Sequence, residues 1–333
     1  MTLKTLLARS PIDPYIVAIV VMVGIASIMP AHGDGAVAMN YVTNIAIALL
    51  FFLYGARLSP QAALAGARHW RLHILVLLCT FVLFPVLGLA AHVLVPSVLT
   101  PQLYFGLVFL CALPSTVQSS IAFTSIARGN VAAALCSASA SNLIGILLTP
   151  LLVSVLLSTQ GGGFSLTALK DIVLQLLVPF AAGQLLRPWI AAWTQKHKYL
   201  LGFVDRGSIL LVVYTAFSEG VVAGIWHQLS LENLAALLAV NMVLLVLALV
   251  ITTAVSRSLG FSREDEIAIV FCGSKKSLAS GLPMASVLFA GQSVGLIVLP
   301  LMLFHQIQLM ACAVLARWYA QRTDAPVEVR SEA

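Results

Sequence analysis

Two adjacent lysines, Lys275 and Lys276, interrupt an apolar stretch that is otherwise long enough to cross a membrane. The local string is Phe271-Cys272-Gly273-Ser274-Lys275-Lys276-Ser277, with apolar residues at 267–270 and 282–290 on either side. A lysine at the bilayer centre costs roughly 2.5–3.5 kcal/mol on insertion scales. Two together are tolerable only where they face a polar cavity inside a helix bundle, so the pair marks a working site. Ammonium groups placed there could bind an anion, repel a cation or carry a proton. Helical neighbours point about 100° apart, so the two lysines cannot share one role. One faces the cavity, while the other pairs elsewhere or sits neutral. Snorkelling at a membrane surface is the bland alternative, and the apolar residues on both sides disfavour it.

A second polar cluster lies in Leu110-Cys111-Ala112-Leu113-Pro114-Ser115-Thr116-Val117-Gln118-Ser119-Ser120. Proline removes a helix hydrogen bond and clashes with the preceding turn. A half-helix restarting after Pro114 would present free N–H groups and the positive end of its dipole. The small-residue run that follows carries Ser137, Ser139, Ser141 and Asn142. Close helix packing accounts for those serines as well as function does. Glu219, after Tyr214-Thr215-Ala216-Phe217-Ser218, either partners a lysine, relays protons or merely ends its helix at the outer surface. His305, in Phe304-His305-Gln306-Ile307-Gln308, serves as a strut or a proton carrier. The expected substrate- and ion-binding set is Ser115, Thr116, Gln118, Ser119, Ser120, Asn142, Tyr214, Glu219, Ser274, Lys275, Lys276, Ser277 and His305. No catalytic constellation and no metal centre is expected. The five cysteines lack metal-ligand spacing and read as small buried hydrophobes.

The elements that must position these residues are membrane helices. The chain has 333 residues, 60% of them apolar and only 9% charged, with a mean hydropathy of +1.02. A soluble domain carries about 25% charged residues, so this is an all-α polytopic membrane protein whose constant partner is the lipid bilayer. Spanning helices need about 20 mostly apolar residues. Ten such segments start near Tyr15, Asn40, His73, Tyr104, Val131, Ile172, Ser208, Leu234, Ile267 and Val294. The first is longer than a signal-peptide core and reads as a span. With the N-terminus inside, fifteen of the 18 Lys and Arg residues fall on the inner face and only Lys170 on the outer. That bias places both termini in the cytoplasm and, for a bacterial chain, the protein in the inner membrane. It also explains the net charge of +6 without nucleic acid as a partner.

Ten spans suggest two inverted five-helix repeats, about 12–157 and 170–320, within one transporter unit over 1–321. A short cytoplasmic tail covers 322–333. Asp13 and Asp171 each precede the first helix of a half, and Phe52-Leu53-Tyr54 lies 160 residues before Val212-Val213-Tyr214. The fourth and ninth segments would occupy matching places. Both are interrupted, the ninth by 273–277 and then by Gly281 and Pro283. Broken helices are tolerated in a membrane where freed backbone is buried in protein or lines a cavity. Two matching interruptions point to a carrier's binding site.

Several runs carry a family resemblance. Leu113-Pro114-Ser115, Ala127-Arg128-Gly129-Asn130-Val131-Ala132-Ala133-Ala134 and Thr149-Pro150-Leu151-Leu152 resemble the fourth and fifth helices of the bile acid:sodium symporter family. Ser274-Lys275-Lys276-Ser277-Leu278 followed by Gly281-Leu282-Pro283-Met284 is similar to that family's symporter-like branch in bacteria and eukaryotes. The resemblance covers the whole chain. It implies a core domain around crossed, discontinuous helices 4 and 9. It also implies a panel domain with helices 1, 2, 6 and 7, the two moving against each other in alternating access. Sodium-coupled members share an acid and a glutamine on helix 9 and a Ser-Asn pair on helix 4. Here Phe271 falls at the acid, Lys275 at the glutamine, and Ser120-Ile121 at the pair; no Asp or Glu occurs between 267 and 290. An ammonium repels a sodium ion by about 4 kcal/mol at roughly 4 Å and an effective dielectric of about 20. The expectation is that an ammonium stands where the cation would be, so that coupling does not use the family's usual sodium sites.

The function expected is secondary transport of a small organic anion by alternating access. No cofactor is implied; the coupling ion is a proton or sodium. The alternatives are a sodium-coupled symporter of an organic anion and a non-transporting membrane regulator, for which the tail after Arg322 offers little. An intramembrane enzyme would need Gly-x-Ser-x-Gly, His-Glu-x-x-His or paired aspartates, and an ATP-driven pump a phosphate loop. The sequence contains none of these.

Overall fold

A computed structural model describes residues 14–57, 69–158, 173–222, 224, 229–290 and 292–322, and the described secondary structure is helical throughout. The polar tail, Lys170, Asp13 and Asp171 lie outside the described residues. In chain order the helices are α1 (Pro14–Ile28), α2 (Gly33–Arg57), α3 (Trp70–Leu94), α4 (Pro101–Ala112), α5 (Gln118–Ile126) and α6 (Val131–Ser158). There follow α7 (Val178–Lys196), α8 (Lys198–Val222), α9 (Leu231–Ser258), α10 (Arg263–Gly273), α11 (Leu278–Leu288) and α12 (Val294–Arg322).

The expectation of ten spanning helices in two five-helix repeats is not met. Among the described residues six helices are long and apolar enough to cross a membrane: α2, α3, α6, α8, α9 and α12. The cause is that apolar windows do not reveal where a helix stops. The windows from Tyr104 and Ile267 each straddle a break. The pieces α4, α5, α10 and α11 have 12, 9, 11 and 11 residues. At about 1.5 Å per residue none reaches the roughly 30 Å of a bilayer core. The first window yields only the 15-residue α1. The window from Ile172 yields α7, whose Gln184, Arg187, Gln195 and Lys196 dilute its apolar character.

Helices α1, α2, α7 and α8 pack on one another, and α8 also touches α11 and α12. The α2–α7 contact is backbone against backbone. A Cβ built on Gly55 would stand 2.0 Å from Phe180 O, and one on Gly183 would stand 1.9 Å from Phe52 O. Only glycine at both positions permits that approach. The larger core gathers Phe84, Tyr104, Phe109 and Phe304 with the aliphatic residues of α4, α11 and α12. Outward faces are apolar too: Leu185 and Trp189 on α7, Val246 and Val250 on α9, and Met310 and Val314 on α12 are exposed. Such a surface belongs in lipid.

The start of α10 is pinned from three sides. Arg257 donates from Nε and Nη2 to the two Glu266 oxygens, both at 2.9 Å, and Tyr319 OH donates to Glu266 at 2.7 Å. Ser262 caps the helix through Asp265 N–H, and Asn130 donates to the Asp265 carboxylate at 2.8 Å. With its first turn fixed to α6, α9 and α12, α10 delivers its C-terminal end to α5 in a set position.

Candidate functional site at two facing helix breaks

A helix that stops inside a bundle leaves carbonyls without intrahelical donors, and each must find a partner. At the end of α4, Leu110 O takes Leu113 N–H. Pro114 has no N–H to give, and Ser115 N–H turns away to Ser141 Oγ at 3.0 Å. Ala112 O is taken by Thr149 Oγ1 at 2.8 Å. Ser115 O is taken by Asn142 Nδ2 at 2.6 Å. At the end of α10, Phe271 O accepts from Ser120 Oγ at 2.9 Å and Cys272 O from Ser115 Oγ. Ser274 Oγ folds back on Val270 O at 2.6 Å. The two breaks also bond directly, Ser277 N–H donating to Pro114 O at 2.9 Å. The α10 break is thus capped by hydroxyls of the α4–α5 break, and the α4 break by side chains of α6 and by Ser277.

The lysines sit in this crossing, both with 0% exposure, so neither snorkels. Lys276 Nζ donates to three backbone carbonyls: Thr80 O at 2.7 Å, Cys111 O at 2.8 Å and Leu113 O at 2.8 Å. The face of Phe84 lies 4.2 Å from the same nitrogen. All three ammonium donors are used. The Lys276 backbone is held as well, its N–H donating to Gln308 Oε1 and its carbonyl accepting from Gln308 Nε2, both at 2.9 Å. His305 Nδ1 lies 2.9 Å from Gln308 Nε2, one residue removed from the lysine.

Lys275 is placed differently. Its one hydrogen bond among the described residues runs to Ser119 Oγ at a long 3.3 Å. Its ammonium otherwise rests on Phe123 at 4.1 Å and Phe271 at 5.5 Å from the ring centroids. Ser119 and Phe123 are half-buried and Gln118 is exposed, so Lys275 lies one side chain beneath the surface. Among the described residues neither lysine is paired with a carboxylate. A buried ammonium with spare donors and aromatic walls can take an anion; one with every donor spent cannot.

The crossing brings together Ser115, Thr116, Ser119, Ser120, Asn142, Ser274, Lys275, Lys276 and Ser277. Thr116 Oγ1 lies 2.8 Å from Ser119 Oγ and 3.0 Å from Ser120 Oγ, and Ser280 Oγ donates to Asn142 Oδ1 at 2.7 Å. Gln118 opens α5, its side chain without a hydrogen bond among the described residues. Two expected members bond elsewhere. Tyr214 OH donates to Met29 O at 2.9 Å, and Glu219 accepts from Asn40 Nδ2 at 3.0 Å, so both tie α8 to the α1–α2 side. Sequence reasoning missed Thr80, Gln308 and the two aromatic walls, and left Ser141 open between helix packing and function. Gln308 had a signal, since it stands one turn from His305 on the same helix face. Backbone carbonyls carry no residue signal at all.

The sequence profile of the SBF-like CPA transporter family matches residues 13–321, nearly the whole chain. The chain belongs to that family. It is a multi-pass membrane transporter rather than an enzyme. Among relatives within reach of this SBF-like chain, PA2026 of Pseudomonas aeruginosa is 59% identical over 96% of this chain and 97% of its own. YfeH of Escherichia coli (strain K12), named as a candidate symporter, is 53% identical over 94% of both chains. Sodium/bile acid cotransporter 7 of Mus musculus is 28% identical over 93% of both. The kinship to bile acid:sodium symporters is therefore real but distant.

Proposed function

We propose that this SBF-like transporter is a symporter of a small organic anion, with sodium as the first coupling ion to test. The observation that carries the anion is Lys275: an ammonium buried in an electropositive crossing, with no carboxylate partner among the described residues, one side chain from the surface. Leaving such a charge uncompensated is costly, and an anionic substrate would offset it. Ser119, Thr116 and Gln118 are the neighbouring donors that would orient a carboxylate or sulfonate. The name of YfeH supports coupled movement, and that of cotransporter 7 supports sodium as the coupling ion. The fifteen-to-one bias of basic residues supports cytoplasmic termini, and the two bacterial relatives support an inner-membrane location.

A second reading is favoured by Lys276. With an ammonium already seated among backbone carbonyls at the crossing, coupling would run through a proton, or not at all. Thermal melting of purified protein in sodium against choline chloride, at constant ionic strength, separates the two. A ligand confined to the folded state stabilises by RT ln(1 + [L]/Kd), about 2.7 kcal/mol at roughly 100 Kd. Sodium symport predicts a saturable, sodium-specific rise in Tm. Coincident melting curves contradict it and leave proton-coupled or passive anion transport.

A further inference from the structure

The carbonyls around Lys276 Nζ are freed by three separate devices. In α3 the turn Cys79–Leu83 is a π-helix, so Phe84 N–H bonds to Cys79 O. Thr80 O would then take the next N–H, but residue 85 is proline and has none. Cys111 O loses its helix donor because Ser115 N–H turns to Ser141. Leu113 O follows the last residue of α4. The latter two oxygens sit at the negative end of the α4 dipole, and the Phe84 ring closes a further side with its electron-rich face. Three convergent carbonyls and a π face, with no hydroxyl or N–H among them, form a set suited to a positive charge. Backbone carbonyls replace the hydration shell of monovalent ions in selectivity filters. The absence of a carboxylate from this set disfavours a divalent ion.

We propose that this cage is a monovalent-cation site whose resident cation is the ammonium of Lys276, tethered by its own side chain and closing the site to ions from solution. A simple structural clamp would need the covalent stem; a cation site needs only the charge. The inference rests on the cage alone and holds whichever ion or anion the transporter moves, because its readout is the stability of the purified protein.

The test is Lys276→Ala. It removes the side chain beyond Cβ, which n-propylammonium matches in length and charge. The variant is expected to melt well below wild type in choline chloride, whose trimethylated head has no N–H and is too large for the cage. n-Propylammonium chloride at equal ionic strength should restore Tm saturably, by ~5 °C, with wild type flat, and sodium should raise the Tm of the variant beyond any rise it gives wild type. Lys276→Met keeps the stem volume without the charge; it should melt low, gain nothing from n-propylammonium, and gain no more from sodium than wild type does. Equal melting of Lys276→Ala in the three salts overturns the proposal. So does a Lys276→Met protein as stable as wild type, or a Lys276→Ala protein that cannot be purified folded in either small cation.

Discussion

Lys275→Met is expected to abolish high-affinity anion binding while leaving the protein at least as stable as wild type. The two halves of that result have different origins. Removing one member of a buried, hydrogen-bonded charge pair costs about 2–5 kcal/mol of binding, so affinity should fall roughly 30-fold or more. Stability moves the other way, because the folded protein without substrate holds an ammonium in 0% exposure with one hydrogen bond among the described residues, of 3.3 Å. Replacing a poorly compensated buried charge with an apolar side chain of similar volume is often neutral or stabilising, by about 1–4 kcal/mol. The methionine sulfur also keeps an aromatic contact with Phe123 in place of the cation–π contact. Tracer uptake into proteoliposomes measures the first half, with taurocholate as the first probe because a relative is named for bile acid. Melting temperature measures the second. The neighbouring Lys276→Met should show the opposite stability sign, since it strands three carbonyls. A fall in Tm for both lysine variants alike would show that Lys275 is a strut.

Gly183→Ala is expected to separate the two halves of the α2–α7 contact and to cost about 3 kcal/mol or more. Overpacking a core costs about 1–3 kcal/mol when side chains can give way. Here the obstacle at 1.9 Å is the carbonyl oxygen of Phe52, and the reciprocal contact, Gly55 against Phe180 O at 2.0 Å, would be strained by the same shift. Backbone can yield only by moving a whole helix. Gly24→Ala, in α1, is the matched control, because nothing lies within 4 Å of its Cβ position. There alanine should stabilise by about 0.5–1 kcal/mol through helix propensity. The contrast is read from yields of monodisperse protein and from Tm. Gly183→Ala and Gly24→Ala proteins of equal Tm would contradict the close α2–α7 packing.

What the residues disclosed depended on whether side chains or backbone carried the information. Lys275 and Lys276 stood out because charge in an apolar run is rare, and Pro114 and Gly273 marked the breaks because each disrupts a helix chemically. The role of each lysine was not legible. It depends on which carbonyls have lost their donors, and that follows from a π turn at Cys79–Leu83 and a proline at 85, neither of which alters hydropathy. Charge alone left Glu219 open between partnering a lysine, relaying protons and ending its helix; the coordinates show that Asn40 of α2 reaches it. The count of spans failed for a related reason: hydropathy sums over a window, whereas a half-helix ends where one hydrogen bond is redirected. That the chain is an all-α polytopic membrane protein, and that two polar stretches interrupt its apolar segments, needed no coordinates. The capping of the α10 carbonyls by Ser115 and Ser120 did.

On the proposed function, the two breaks form an electropositive anion site governed by Lys275. The most direct test of this claim needs no identified substrate. Ser119→Cys, whose Oγ position lies 3.3 Å from Lys275 Nζ, is reacted in membrane vesicles with two methanethiosulfonates of similar size, one sulfonated and one quaternary ammonium. The sulfonated reagent is expected to react faster by roughly tenfold or more, since opposite and like charges near a desolvated ammonium differ by more than about 1.4 kcal/mol. That preference should vanish when Lys275→Met is added. Equal rates for the two reagents, or a preference that survives the loss of Lys275, would contradict the claim.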